Sequence, residues 1–158
     1  IDNGGNSMAP FVPLVQLLFS RLHERFEDIQ TYYFHNTIYD KIYTDARRIR
    51  SYQLEQLLLR RPEMRVVIVG DATMAPEELD SYGGAITHYG GRDQKPSSYW
   101  LNKIKDRFPH TCWLNPIDKE HWGNTYGNYT LNRIREYYHM EDMTLGGIKG
   151  MVEFLSEK

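Results

Sequence analysis

Between Pro10 and Phe26, the apolar residues Val12, Val15, Leu18, Phe19 and Leu22 recur every three or four positions while charge gathers toward the end, which predicts an amphipathic helix. Pro10 and Pro13 fall in or near its first turn, where a missing backbone donor costs least. The pattern then changes. "IQTYYFHNTIYDKIY" is rich in β-branched and aromatic residues around a central "HN", and predicts two adjacent strands joined by a tight turn. "TDARRIRSYQLEQLLLRR" begins polar and turns helical, with Leu54, Leu57 and Leu58 on one face, and stops before Pro62.

Val66 to Val69 are four consecutive apolar residues between Arg65 and Gly70, the mark of a central strand. "PEELDSYGGAITHYGGRDQKPSS", with its two Gly-Gly pairs, predicts a surface loop. Ser97 and Ser98 are expected to cap a short helix over "YWLNKIKDRF", and "HTCWLNP" predicts a second buried strand that Pro116 stops. A polar aromatic loop, "IDKEHWGNTYGNYT", precedes two helical stretches, "LNRIREYYHM" and "TLGGIKGMVEFLSEK". Buried strands alternating with helices argue for an open α/β sheet covered on both faces, with ligands gathered at the carboxyl ends of the strands.

The totals narrow the function classes. The 158 residues, 41% hydrophobic and 25% charged, suit one domain with a substantial core, and no repeat or low-complexity tract divides them. A net charge of −2 supplies no excess of cations to bind a phosphate backbone. No apolar run approaches the roughly 18 to 20 residues that span a bilayer, and the first residues do not read as a signal peptide, so a cytoplasmic location is expected. The single cysteine, Cys112, lies in an apolar stretch and reads as a buried structural thiol. Trp122, Tyr126 and Tyr129 read as core anchors, with partner binding as the alternative.

Two carboxylates stand just past strand ends: Asp2 in "IDNGGNS" and Asp71 in "VIVGDAT". In a doubly wound sheet such ends come within a few ångströms of each other, and a divalent cation offsets the repulsion between paired carboxylates. Mg²⁺ prefers oxygen ligands, takes one or two carboxylates and keeps several waters, which fits Asp2, Ser7 and Asp71 with Asn6 or a threonine. The alternative is that both aspartates only cap turns. Gly4 and Gly5 permit a sharp turn or an anion held on backbone amides, but their spacing matches neither the phosphate loop nor the dinucleotide fingerprint. The six histidines are scattered without the spacing of a zinc site, and His35 reads as a turn residue. Arg47, Arg48 and Arg50 read as a solvated basic face.

"IDNGGNSM", "TYYFHNTIYD", "RVVIVGDATMAP" and "FPHTCWLNP", in that order, resemble bacterial von Willebrand factor A domains of the CoxE-like group, which are associated with MoxR-type AAA+ ATPases. The resemblance implies a Rossmann-like, doubly wound and mostly parallel sheet with helices on both faces, one antiparallel edge strand, and a metal-ion-dependent adhesion site at the strand ends. "ID" then reads as the end of a central strand, with residues 1–158 a single domain cut within that strand. The family pattern, Asp-x-Ser-x-Ser followed by a threonine and a later aspartate, falls here on Asp2, Asp71 and, by position, Thr44, with Thr73 and Thr37 as alternatives. Gly4 and Asn6 stand where the serines belong, and Ser7 is displaced by one. The metal set expected is Asp2, Asn6, Ser7, Thr44 and Asp71, holding Mg²⁺, with Mn²⁺ or Ca²⁺ as substitutes. The implied function is that of a non-enzymatic adaptor for a MoxR-type ATPase or its client. A metal-assisted phosphoryl or ester hydrolase built on the same aspartates is the rival.

Overall fold

The computed structural model describes residues 1–25, 28–85 and 94–157. Phe26, the Gly90–Gly91 pair of the expected loop, and Lys158 lie outside the described residues. The architecture is mixed α/β. Strands β1 (Lys41–Tyr43) and β2 (Ser51–Gln53) form an antiparallel pair, and β3 (Val66–Val69), β4 (Thr111–Asn115) and β5 (His139–Asp142) form a parallel sheet in that spatial order. Single bridges link the two sheets. Tyr33 and Tyr43 exchange backbone hydrogen bonds of 2.8 and 2.9 Å, Asp2 bridges Phe34 in parallel, and the Asp2 N–H donates to the Val69 carbonyl at 2.7 Å. A hydrogen-bonded path therefore runs from β2 through β1, Tyr33 and Asp2 to β3, β4 and β5.

The helices are α1 (Gly5–Met8), α2 (Val12–Arg25), α3 (Leu54–Leu58), α4 (Pro76–Asp80), α5 (Ser97–Arg107), α6 (Asn128–Tyr137) and α7 (Leu145–Ser156). Strand alternation divides the core between the two faces of the sheet. Val67, Val69, Cys112 and Leu114 pack with Val15, Leu18 and Phe19 of α2 and with Ile148, Met151 and Phe154 of α7. Ile68, Trp113 and Met140 belong to the larger cluster with Leu54 of α3, Leu79 of α4, Leu101 and Ile104 of α5, and Leu131 and Ile134 of α6. Burying a side chain of this size contributes about 1.5–3 kcal/mol, so the two clusters clamp the sheet and fix its strand ends. Cys112 is fully buried in the smaller cluster, and its burial pushes the thiol up to about 12, as expected of a structural cysteine. Among the described residues no helix is long and apolar enough to cross a membrane.

Several elements differ from expectation. "LNRIREYYHM" is not helical throughout, because α6 ends at Tyr137 and Tyr138 turns extended at φ −123°, ψ 143°. His139–Asp142 then form β5, where Met140 lies opposite Trp113. β2 occupies part of a stretch read as polar and then helical, with only Tyr52 to pack inward. The tight turn at "HN" exists, with Thr37 N–H on His35 O at 2.7 Å and Asn36 at φ +60°, but it does not join the paired strands directly. Ile38 and Tyr39 first dip into the core, and Tyr39 donates its hydroxyl to the Glu78 carbonyl at 3.1 Å.

Part of the expected Gly-rich loop is α4, begun by Pro76 at its first position and by the Glu78 carboxylate accepting from Ala75 N–H at 3.3 Å. Pro96 rather than a serine precedes α5. Ser97 is buried inside the first turn, donating to Ile38 O at 2.8 Å and lying 2.5 Å from the Thr37 hydroxyl.

Candidate functional site

Each parallel segment of the sheet ends in the same local device, an Asp or Asn whose side-chain oxygen accepts the N–H two residues on. Asp2 Oδ1 takes Gly4 N–H at 3.0 Å, Asp71 Oδ1 takes Thr73 N–H at 2.9 Å, Asn115 Oδ1 takes Ile117 N–H at 2.9 Å, and Asp142 Oδ1 takes Thr144 N–H at 3.2 Å. Such side-chain turns release the chain from a strand without leaving a buried amide unpaired. The reading of Asp2 and Asp71 as turn formers is therefore correct as far as one oxygen of each.

The second oxygens are different. Asp2 Oδ2 and Asp71 Oδ2 are buried and have no hydrogen-bond partner, in residues that are each only 1% exposed. Asp2 Oδ1 gains a further N–H from Asn36 at 3.1 Å, so the existing donors all serve the other oxygen. Burial, with the charge of Asp71 adding to it, raises the Asp2 carboxyl to about 7 against the pull of the Gly4 and Asn36 amides.

Gly70 lets the pair approach. A Cβ there would lie 3.2 Å from Asp2 Cβ and 3.5 Å from the Trp113 ring, so a larger residue would push Asp2 away from the strand that delivers Asp71. Trp113 holds the same glycine by donating its indole N–H to Gly70 O at 2.8 Å.

The loop after Asp71 is fixed from two sides. Ala72 adopts φ +62°, a left-handed conformation that costs an alanine about 1–2 kcal/mol. The Thr130 hydroxyl spans it, donating to Ala72 O at 2.9 Å and accepting from Met74 N–H at 3.1 Å, while the Asn115 amide donates to Asp71 O at 2.9 Å. Gly127, at φ +80°, makes room beside Thr73, whose Cβ would be 3.0 Å from any side chain there.

The remaining expected ligands lie apart from this pair's hydrogen bonds. Asn6 and Ser7 are exposed on α1, and Thr44 is exposed beyond β1 with its hydroxyl toward Arg50 O at 3.4 Å. The Thr37 hydroxyl is engaged by Ser97, and Thr73 serves the site through its backbone N–H. Gly4 has a physical reason to lack a hydroxyl. A Cβ at Gly4 would lie 2.2 Å from His35 Nδ1, so the imidazole fills the space that a serine side chain would need. Burial, and secondarily Arg48, lowers the His35 pKa and favours the neutral ring in that place.

Asn36, Asn115 and Thr130 were not singled out from the sequence. Asn115 had a visible signal, "LNP" at a strand end, but Asn36 and Thr130 act on partners distant in the chain. Farther round the same end, Trp122 is buried with its indole N–H on Ile117 O at 2.7 Å, while Tyr126 is fully exposed and Tyr129 is 55% exposed. The anchoring reading thus holds for the tryptophan and not for the tyrosines. An exposed group of Asp118, Glu120 and His121 also lies nearby, with His121 Nε2 3.5 Å from Glu120.

No family model, curated protein or solved structure matches this chain. The chemistry of the site rests on its own geometry.

Proposed function

We propose that this chain is a non-enzymatic interaction domain whose strand-end face takes a divalent cation between Asp2 and Asp71 and, with it, a carboxylate of a partner protein. The observation that carries the reading is the pair of buried, donorless oxygens, Asp2 Oδ2 and Asp71 Oδ2. Two hard, anionic oxygens suit Mg²⁺, which commonly takes one or two carboxylates and keeps water elsewhere in its shell. Asn6, Ser7 and Thr44 are the neutral oxygens that the family resemblance would add. Mg²⁺, when bound, supplies an electrophilic coordination position that a partner's Asp or Glu can fill.

This chain's own residues prepare the site. The Gly4 and Asn36 amides hold Asp2 Oδ1, and the Thr73 amide holds Asp71 Oδ1, so one oxygen of each carboxylate is kept as a ligand atom. Asn115 fixes the Asp71 carbonyl and Thr130 the Ala72–Met74 turn after it, which reduces the ordering cost of binding. The backbone path from β2 to β5, with its antiparallel edge, supports the finer reading of a doubly wound von Willebrand factor A sheet. The resemblance makes a MoxR-type AAA+ ATPase, or its client, the partner.

Calorimetry with Mg²⁺ and Mn²⁺ tests the site. The native chain is expected to bind at least one of them, and Asp2→Asn or Asp71→Asn to abolish the binding while keeping the fold. A native chain that takes up neither ion overturns the reading. Mg²⁺-dependent turnover of a generic phosphate ester, lost in Asp2→Asn, would replace it with the hydrolase.

A further inference from the structure

Beside the Asp2 loop lies an open polar cavity of about 260 Å³ whose walls include His35, Lys41, Tyr43, Arg47 and Arg48 and no carboxylate. Two of these residues also touch the Asp2 loop. The His35 ring packs against Gly4, and Arg48 donates to Asn3 O at 3.2 Å and to Asn3 Oδ1 at 2.5 Å. The cavity and the Asp2 loop therefore share His35 and Arg48.

The cations are not used alike. Arg48, held at φ +55°, is committed to Asn3. The Lys41 and Arg47 side chains make no hydrogen bond or ion pair among the described residues. The acid of the Arg47 loop, Asp45, is occupied by the Ile49 and Arg50 amides and lies 3.8 Å from the Arg50 guanidinium. Among the described residues the wall therefore presents two cations with no bonded acid.

Several of its backbone donors, by contrast, are consumed. Thr37 N–H serves His35 O, Tyr43 N–H serves Tyr33 O, and Arg48 N–H serves Asp45 O. A compact phosphate site usually offers a cradle of free amides, whereas ammonium and guanidinium groups on separate elements suit carboxylates spaced along a peptide. We propose that this cavity binds a second acidic side chain of the partner segment, so that an acidic peptide places one carboxylate at Asp2–Asp71 and another between Lys41 and Arg47. The first contact rests on the function proposed above; the second does not.

The test is fluorescence anisotropy of a labelled hexaglutamate peptide against the full chain at low salt, with and without Mg²⁺. Lys41→Glu/Arg47→Glu is expected to weaken binding by about tenfold or more, with Arg47→Lys close to native and binding falling as salt rises. Mg²⁺ calorimetry and the urea midpoint should not change in the double variant. Native-like peptide binding by that variant overturns the proposal, as does tighter binding of a phosphoserine peptide than of hexaglutamate. If the double variant loses the peptide while Asp71→Asn keeps it, the cavity stands and the cation reading falls. The opposite result leaves the cation reading and removes the cavity.

Discussion

Asn115 and Asp142 stand at the ends of β4 and β5 as Asp2 and Asp71 stand at the ends of the two segments beside them, and all four make the same two-residue turn. On the β4–β5 side every polar atom is spent. The Asn115 amide donates to Asp71 O, and Asp142 Oδ2 accepts Lys119 N–H at 2.9 Å while Oδ1 also takes the Thr144 hydroxyl. Burial pushes the Asp142 pKa up, but these bonds outweigh it and hold the group below the ordinary carboxylate range. On the Asp2–Asp71 side the same device leaves two buried oxygens without donors. One half of the strand-end face has its side-chain polar groups paired, and the other leaves two carboxylate oxygens buried without a donor, at a cost in stability.

The widest test of that contrast is pH. The raised Asp2 pKa means that its contribution is fully present below about pH 4 and is lost as pH rises toward and through about 7, a loss of up to about 4 kcal/mol in metal-free protein. Asp142 acts in the other direction, its contribution being present above the ordinary carboxylate range and lost as acid protonates it. Urea denaturation in EDTA should show the first slope flattened in Asp2→Asn, and Mg²⁺ should restore stability above pH 7. An Asp2→Asn profile identical to native would erase the difference between the two halves.

A paired substitution sharpens it. Asp142→Ala leaves the Lys119 and Thr144 donors unmet and is expected to cost about 2–3 kcal/mol. Asp71→Asn keeps the turn oxygen, removes a repelling charge, and should be neutral or slightly stabilising in EDTA. Equal losses in the two variants would contradict the account.

The smallest effect concerns Gly4. Placing a hydroxyl at this position with Gly4→Ser should cost about 1–3 kcal/mol, because the new side chain meets the His35 ring, and His35→Ala should recover part of that loss. Thermal melts of the single and double variants give the coupling.

β3 and β4 were legible because continuous apolar runs between breakers have few other uses; Asp71 followed from where the first of them ends, whereas Asp2 rested on "ID" before a Gly-rich turn. β5 was not, since "HMED" offers only Met140 to the core and its neighbours Tyr137 and Tyr138 continue the helical spacing. β2 escaped notice for the same reason. At the site, the sequence reads Gly4 as a missing ligand, whereas the fold makes it a space filled by His35. That exchange depends on a turn thirty residues away and leaves no local trace. Thr130 likewise locks Ala72 across the fold, where no spacing rule reaches.

The Asp2 N–H bond to Val69 O is also the link between the most distant residues of any backbone pairing in the sheet. Closing that loop has an entropic cost, and the Asp2 backbone reaches β3 only once it has closed. The residue that ties the Phe34 segment to β3 through its backbone is thus the same one whose side-chain oxygen is left unpaired, so the longest closure of the sheet and an unmet polar group fall on one residue.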